Sequence, residues 1–177
     1  MKTIVEHYPS VLDIDFTQWY NQGITCVLLD VDSTVTPWLE MKVATEIAKK
    51  LKQARKAGII HIGLATNSNK RNVVRIADIA KQIGADGYFM PQRFRERKPR
   101  PSLIHQAMEQ FNAPPETVAM VGDKYSTDVV AAKRTGIARV AWVDRLGDAD
   151  HPYDRYLRRP VEKLLKRRVR KTNTSPK

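Results

Sequence analysis

Short apolar runs alternate with segments of helical spacing along most of this chain, and that alternation restricts the fold more than any other feature. Val27-Leu28-Leu29 is a continuous run of strand formers, as expected of a strand buried on both faces. Val43, Ile47, Leu51 and Ala54 then recur at helical intervals, and Gly58 ends the segment. Residues 59–64 predict a second strand, and residues 70–83 a helix with Val73, Val74, Ala77 and Ala80 on its inner face, closed by Gly84. Tyr88-Phe89-Met90 is a weaker strand. Ser102 precedes a helix carrying Leu103, Ala107, Met108 and Phe111 on one face, broken at 112–115. Residues 118–121 predict a strand, 127–134 a helix stopped by Gly136, and 138–143 a last strand. This β-α order implies an α/β fold: a parallel sheet with helices on both faces, in three layers. Right-handed crossovers bring all the strand C-termini to one edge, where ligands bind in such sheets.

Composition sets the outer limits. A chain of 177 residues with 42% hydrophobic content can bury a core without staples. The one cysteine, Cys26, supplies neither an internal disulfide nor a cysteine-rich zinc site, which fits a reducing compartment such as the cytoplasm. No apolar run approaches the length needed to cross a bilayer, and residues 1–10 carry charges and a proline where a secretory signal needs an apolar stretch. Phe16, Trp19 and Tyr20 read as packing residues, and His61 as a near-core residue of a strand.

The residues that follow each strand carry the chemistry. Asp30-Val31-Asp32-Ser33-Thr34 follows the first, Thr66-Asn67 the second, a basic loop with Lys98-Pro99 the third, and Gly122-Asp123 with Asp128 the fourth. Two carboxylates so close repel each other, and a divalent cation is the natural way to keep both ionised. Oxygen-only ligands favour Mg²⁺, with Asp123 completing the set from a neighbouring strand. Asp30 is placed to attack phosphorus, and Asp32 to protonate the leaving oxygen and then activate water. Thr66 offers a hydroxyl and Lys98 a positive charge to the phosphoryl group. Taken singly, each piece is an ordinary loop or turn. Their order at successive strand ends gives them weight.

That constellation resembles the haloacid dehalogenase-like phosphohydrolase superfamily, in its uncapped subclass. Asp30, Asp32 and Thr34 match its first motif, Thr66 the second, Lys98 the third, and Gly122, Asp123 and Asp128 the fourth. The resemblance covers about residues 24–143 and implies a Rossmann-like core. It also implies that Asp30 is the nucleophile and Asp32 the general acid and base. Asp30, the backbone carbonyl of Asp32, and Asp123 would hold Mg²⁺, with Asp128 supporting that shell. Thr34, Asn67 and Arg97 are expected on the phosphate or the rest of the substrate. Gly23-Ile24, Trp38, Arg97-Lys98-Pro99 and Asp128-Val129 are closer to the YqeG-like group, which is similar to enzymes that dephosphorylate phosphatidylglycerophosphate. Ser33 stands where Asn is commoner in that group, and Lys124-Tyr125 where Gln-Leu is frequent. A response-regulator receiver places its acid pair a whole strand before its phosphoacceptor, unlike this chain. No Gly-x4-Gly-Lys-Ser/Thr appears for a P-loop enzyme.

Only 31 residues lie between Thr34 and Thr66, and 31 between Thr66 and Lys98, too few for a cap domain in either interval. By the same resemblance, an open site suits large or surface-presented phosphomonoesters. The chain divides by charge into a core over 1–154, with an N-terminal extension, and a basic amphipathic segment over 155–177. That segment holds ten of the 31 basic residues and one acid, within a net charge of +12. Such a segment suits peripheral contact with an anionic membrane, at its inner face for a cytoplasmic protein. Solvated charges around a packed terminal helix are the plainer reading. The leading function is therefore a Mg²⁺-dependent phosphatase acting on phosphatidylglycerophosphate. The alternatives are a phosphatase for a soluble phosphometabolite, nucleotide or phosphoprotein, and, in another class, an RNA- or ribosome-associated binding protein. Nucleic acid is the less favoured partner, because most of the excess charge is terminal. The sequence gives no oligomeric state.

Overall fold

The computed structural model describes residues 2–148. The basic segment 155–177 lies outside the described residues. Six parallel strands form one sheet: β1 (Ile4–Tyr8), β2 (Cys26–Leu29), β3 (His61–Ala65), β4 (Gly87–Phe89), β5 (Val118–Gly122) and β6 (Arg139–Val143), in the spatial order β1-β6-β5-β2-β3-β4. From β2 the chain first builds outward through β3 to β4, then crosses to β5 on the other side of β2. The reversal opens a crevice between the C-terminal ends of β2 and β5.

Helices α1 (Phe16–Asn21), α2 (Thr45–Lys56) and α3 (Val73–Ile83) cover one face, and α4 (Ser102–Gln110) and α5 (Val130–Thr135) the other. The period-2 alternation of β2 divides its side chains between the layers: Val27 and Leu29 pack with α1–α3, Cys26 and Leu28 with α4 and α5. All four are fully buried, so the strand had to be apolar throughout. Burial pushes the Cys26 thiol up to about 12, with Asp86 adding to it, so this cysteine behaves as a small apolar residue. Asp15 caps α1 by accepting from Gln18 N at 2.9 Å. Gly84 ends α3 in the left-handed conformation at φ 65°, where a Cβ would be strained.

The intervals before and after Thr66 each hold one main helix and one strand, α2–β3 and α3–β4, and no cap domain. Phe16 and Trp19 are core residues, while Tyr20 is 43% exposed with its ring over Gly58. His61 is half-buried and stacks on Phe111 at 4.8 Å.

Three expectations are corrected. The N-terminal stretch is not an extension: β1 joins the sheet through β6, with Ile4 opposite Arg139 and Tyr8 opposite Val143. The buried stripe of α3 is Ile76, Ile79, Ala80 and Ile83, with Arg75 beside it, whereas Val73 and Val74 are exposed. The larger isoleucines decide which face docks, because burial free energy scales with apolar area. Between β5 and α5, residues 125–129 form a π-helical turn where a regular helix start was expected.

Candidate active site

The first acid stands at the sheet reversal. Strand β2 ends at Leu29, and Asp30 N donates to Val121 O of β5 at 2.8 Å, so Asp30 is carried on the central pair of strands. On β5, Gly122 leads directly to Asp123, whose backbone carbonyl accepts from Trp142 Nε1 of β6 at 2.9 Å. The π-helical turn then brings Asp128 back over Gly122. One carboxylate oxygen from each of Asp30, Asp123 and Asp128 lies within 4.8 Å of the others, and all three residues are buried.

Lys98 enters this cluster from beyond β4. Its Nζ donates to Asp30 Oδ1 at 2.7 Å and to Asp128 Oδ1 at 2.6 Å. Its backbone is fixed by Asn67, which accepts from Lys98 N at 2.8 Å and donates to Lys98 O at 2.9 Å. Burial works against the charge on Lys98, but Asp128 and Asp30 outweigh it and hold the ammonium protonated above its usual range. Burial pushes the Asp30 carboxyl up to about 6; Lys98 opposes this, and the charges of Asp128 and Asp32 add to it. Three converging carboxylates and one ammonium leave excess negative charge in a dry site. Hard, oxygen-only donors of this kind fit Mg²⁺.

Asp32 is placed differently. Its carboxylate turns away from the cluster toward α3, where Arg75 Nη2 donates to both oxygens at 2.8 and 2.9 Å. Leu39 N donates to Oδ1 at 3.0 Å, and Ser68 Oγ lies 3.4 Å from Oδ2. Arg75 also donates to Glu40 O through Nη1 at 2.9 Å, tying the turn at 37–41 to the same helix. The Asp32 side chain is therefore not part of the acidic cluster formed by Asp30, Asp123 and Asp128.

A cleft of about 400 Å³ opens over these groups, with Asp30, Asp32, Thr66, Asn67, Arg97 and Lys98 in its wall. Trp38, Ser68, Lys124 and Thr127 also line it. Thr66 is buried at the end of β3 and accepts from Ser68 N at 3.1 Å. Thr34 lies behind the lining: it is 2% exposed, within the turn in which Thr34, Val35 and Thr36 all donate to Val31 O. The Thr34 hydroxyl oxygen is buried without a hydrogen-bond partner among the described residues. Asn67 acts as the anchor of Lys98. A larger depression of about 670 Å³, against β4, contains none of the motif acids.

Arg75 and Ser68 are site residues that the sequence reading passed over. Arg75 leaves a signal: it sits four residues before Ile79 and eight before Ile83, a cation on the helix's apolar side.

The family model for haloacid dehalogenase-like hydrolases matches residues 12–136. The chain is 32% identical over 96 residues to the phosphoglycolate phosphatase of Vibrio vulnificus (strain CMCP6), covering 52% of this chain and 40% of that protein. It thus spans about two fifths of the length of that relative. It is 21% identical over 150 residues to the probable phosphatase YqeG of Bacillus subtilis (strain 168), covering 85% and 81% of the two chains. Among solved structures, a hydrolase of the same family from Deinococcus radiodurans R1, with bound phosphate and sodium, superposes with a TM-score of 0.57 at 15% identity, over 74% of this chain and 85% of that one. This last likeness is one of fold.

Proposed function

Because the chain belongs to the haloacid dehalogenase-like hydrolases, we propose that it is a Mg²⁺-dependent phosphomonoesterase working through an aspartyl-phosphate on Asp30. The observation that carries this reading is the meeting of Asp30, Asp123, Asp128 and Lys98 at the sheet reversal. Asp30, Asp123 and the backbone carbonyl of Asp32 would hold the ion, with Asp128 beside them. When bound, Mg²⁺ neutralises charge on the phosphoryl oxygens and orients them for in-line attack.

The chain's own groups do the rest. An Asp30 oxygen attacks phosphorus, and the bond from phosphorus to the leaving oxygen breaks. Asp32 gives that oxygen its proton. Water then attacks the same phosphorus, Asp32 takes a proton from it, and the bond from phosphorus to Asp30 breaks to release inorganic phosphate. Lys98 offsets negative charge on Asp30 and the transferring group, and Thr66 donates to a phosphoryl oxygen. Arg97 and Lys124 at the cleft wall draw anionic substrates.

The leading substrate is phosphatidylglycerophosphate. The open cleft supports it, since among the described residues no cap domain stands between the site and a bulky or surface-held leaving group. A soluble phosphometabolite is the second reading, favoured by the likeness to the phosphoglycolate phosphatase of Vibrio vulnificus. Purified protein with Mg²⁺ is expected to release phosphate from a generic aryl phosphate, and Asp30→Asn to abolish that release. Phosphate release by Asp30→Asn at the wild-type rate would overturn the mechanism. Phosphatidylglycerophosphate assayed beside a panel of soluble phosphates separates the two substrate readings.

A further inference from the structure

All six strands are parallel, so the loops after β2, β3, β4 and β5 open on the same edge as Asp30. Those loops expose apolar side chains. Leu39 is 50% exposed and Phe94 80%, the highest among large apolar side chains of the described residues; Met41, 53% exposed, lies farther along α3, where its carbonyl accepts from Gln82 Nε2. Around Phe94 stand the exposed cations Lys70, Arg71, Arg93 and Arg95, none in an ion pair among the described residues. Glu96, the acid of the Phe94 loop, is turned back to accept from Gln92 N at 2.6 Å and Arg93 N at 3.3 Å. Other exposed acids on this edge are Glu40, between Leu39 and Met41, and Asp148 beyond β6. The Phe94 surface is continuous with the cleft, because Asn69 and Arg97 line both.

Apolar tips ringed by cations match the boundary between headgroups and acyl chains of an anionic bilayer. Nucleic acid would reward the cations and the Phe94 ring, but Leu39 has no π-face on which a base can stack. We propose that this edge is a membrane-docking face. Phe94 and Leu39 enter the headgroup boundary, Lys70, Arg71, Arg93 and Arg95 pair with anionic lipid headgroups, and the cleft opens onto the bilayer. The inference rests on the phosphomonoesterase reading only for what the cleft then meets, a phosphoryl group held at the lipid surface. It uses no residue of 155–177.

The test is sedimentation of the full chain with vesicles of phosphatidylcholine alone and with vesicles containing phosphatidylglycerol. Binding is expected to the second and not the first. Each cation contributes about a factor of five at an anionic surface, so Arg93→Gln/Arg95→Gln should weaken partition about 25-fold. Phe94→Ala should weaken it about tenfold. Arg93→Gln/Arg95→Gln is expected to keep wild-type activity on a soluble aryl phosphate, since neither residue lines the cleft; Phe94, whose ring lies 5.8 Å from the Arg97 guanidinium, is read by partition alone. Phe94→Trp should give blue-shifted emission when anionic vesicles are added. Partition unchanged in both variants would overturn the face, and so would no spectral shift in Phe94→Trp. Tighter binding to single-stranded RNA than to vesicles, lost in the same variants, would reassign the face to nucleic acid. Vesicle binding without aryl phosphatase activity would uphold the face and sink the catalytic reading.

Discussion

Gly122 lies flat against the carboxylate of Asp128: a Cβ on residue 122 would stand 2.4 Å from Asp128 Cγ and 2.5 Å from its Oδ2. Asp128 cannot simply swing aside, because Lys98 Nζ holds Oδ1 and Lys124 N donates to Oδ2 at 3.0 Å. Gly122→Ala is therefore expected to push Asp128 out of the acidic cluster. The cost is about 1–3 kcal/mol, as for other overpacked sites. A urea titration reads the stability. The rise of thermal midpoint with Mg²⁺ should shrink in the same variant, and an unchanged rise would refute the assignment of Asp128 to the metal shell.

A pH prediction follows from Asp30. In the metal-free protein its pKa is raised from 3.8 to about 6, first by burial. The folded state then binds more protons than the unfolded chain between those values. Stability from this group is fully present below about pH 4 and is lost as pH rises through about 6. The loss is on the order of 3 kcal/mol. Subtracting the pH profile of Asp30→Asn, measured in chelator, isolates it, because the amide does not titrate. Mg²⁺ competes with that proton, so its stabilising effect should grow from about pH 5 to pH 7. A Mg²⁺ effect independent of pH would contradict Asp30 as a ligand.

Lys98→Met removes the ammonium between two buried carboxylates. Breaking such a pair costs about 3–5 kcal/mol, because the remaining charges are left without compensation. Part of the loss should return when Mg²⁺ is added, since the ion restores the missing positive charge. Lost packing alone would show no such recovery in urea titrations with and without Mg²⁺.

Arg75 touches none of the motif acids except Asp32, and holds that carboxylate by both oxygens. Misplacing a reacting group by about 1 Å costs on the order of 100-fold in rate. Arg75→Gln is accordingly expected to lower kcat by that order with a smaller change in KM, and Arg75→Lys to retain part of the rate. Steady-state kinetics on an aryl phosphate decide it: a fall in stability with kcat preserved would reduce Arg75 to a structural contact.

Much of this was legible in the sequence, for a physical reason. Strands buried on both faces must be apolar along their length, so β2 and β5 announce themselves, and the acids behind them are conspicuous. Strand β1 escaped because it lies at the sheet's edge with a single partner. Its alternation, Ile4-Val5-Glu6-His7-Tyr8, carries charge that a central strand would not tolerate. Arg75 escaped because its role is decided by a contact with Asp32, 43 residues away, that helical spacing does not encode.

Strand β4 is three residues long and bonded on one side only, to β3, yet the chain running from it delivers Lys98. Short, singly paired edges open at lower free energy than central strands. Such an opening would leave the two Asn67 hydrogen bonds as the remaining backbone tether of Lys98. The ammonium between Asp30 and Asp128 thus hangs from a peripheral latch, and phosphatase activity is expected to fade under rising denaturant before the central strands and helices melt.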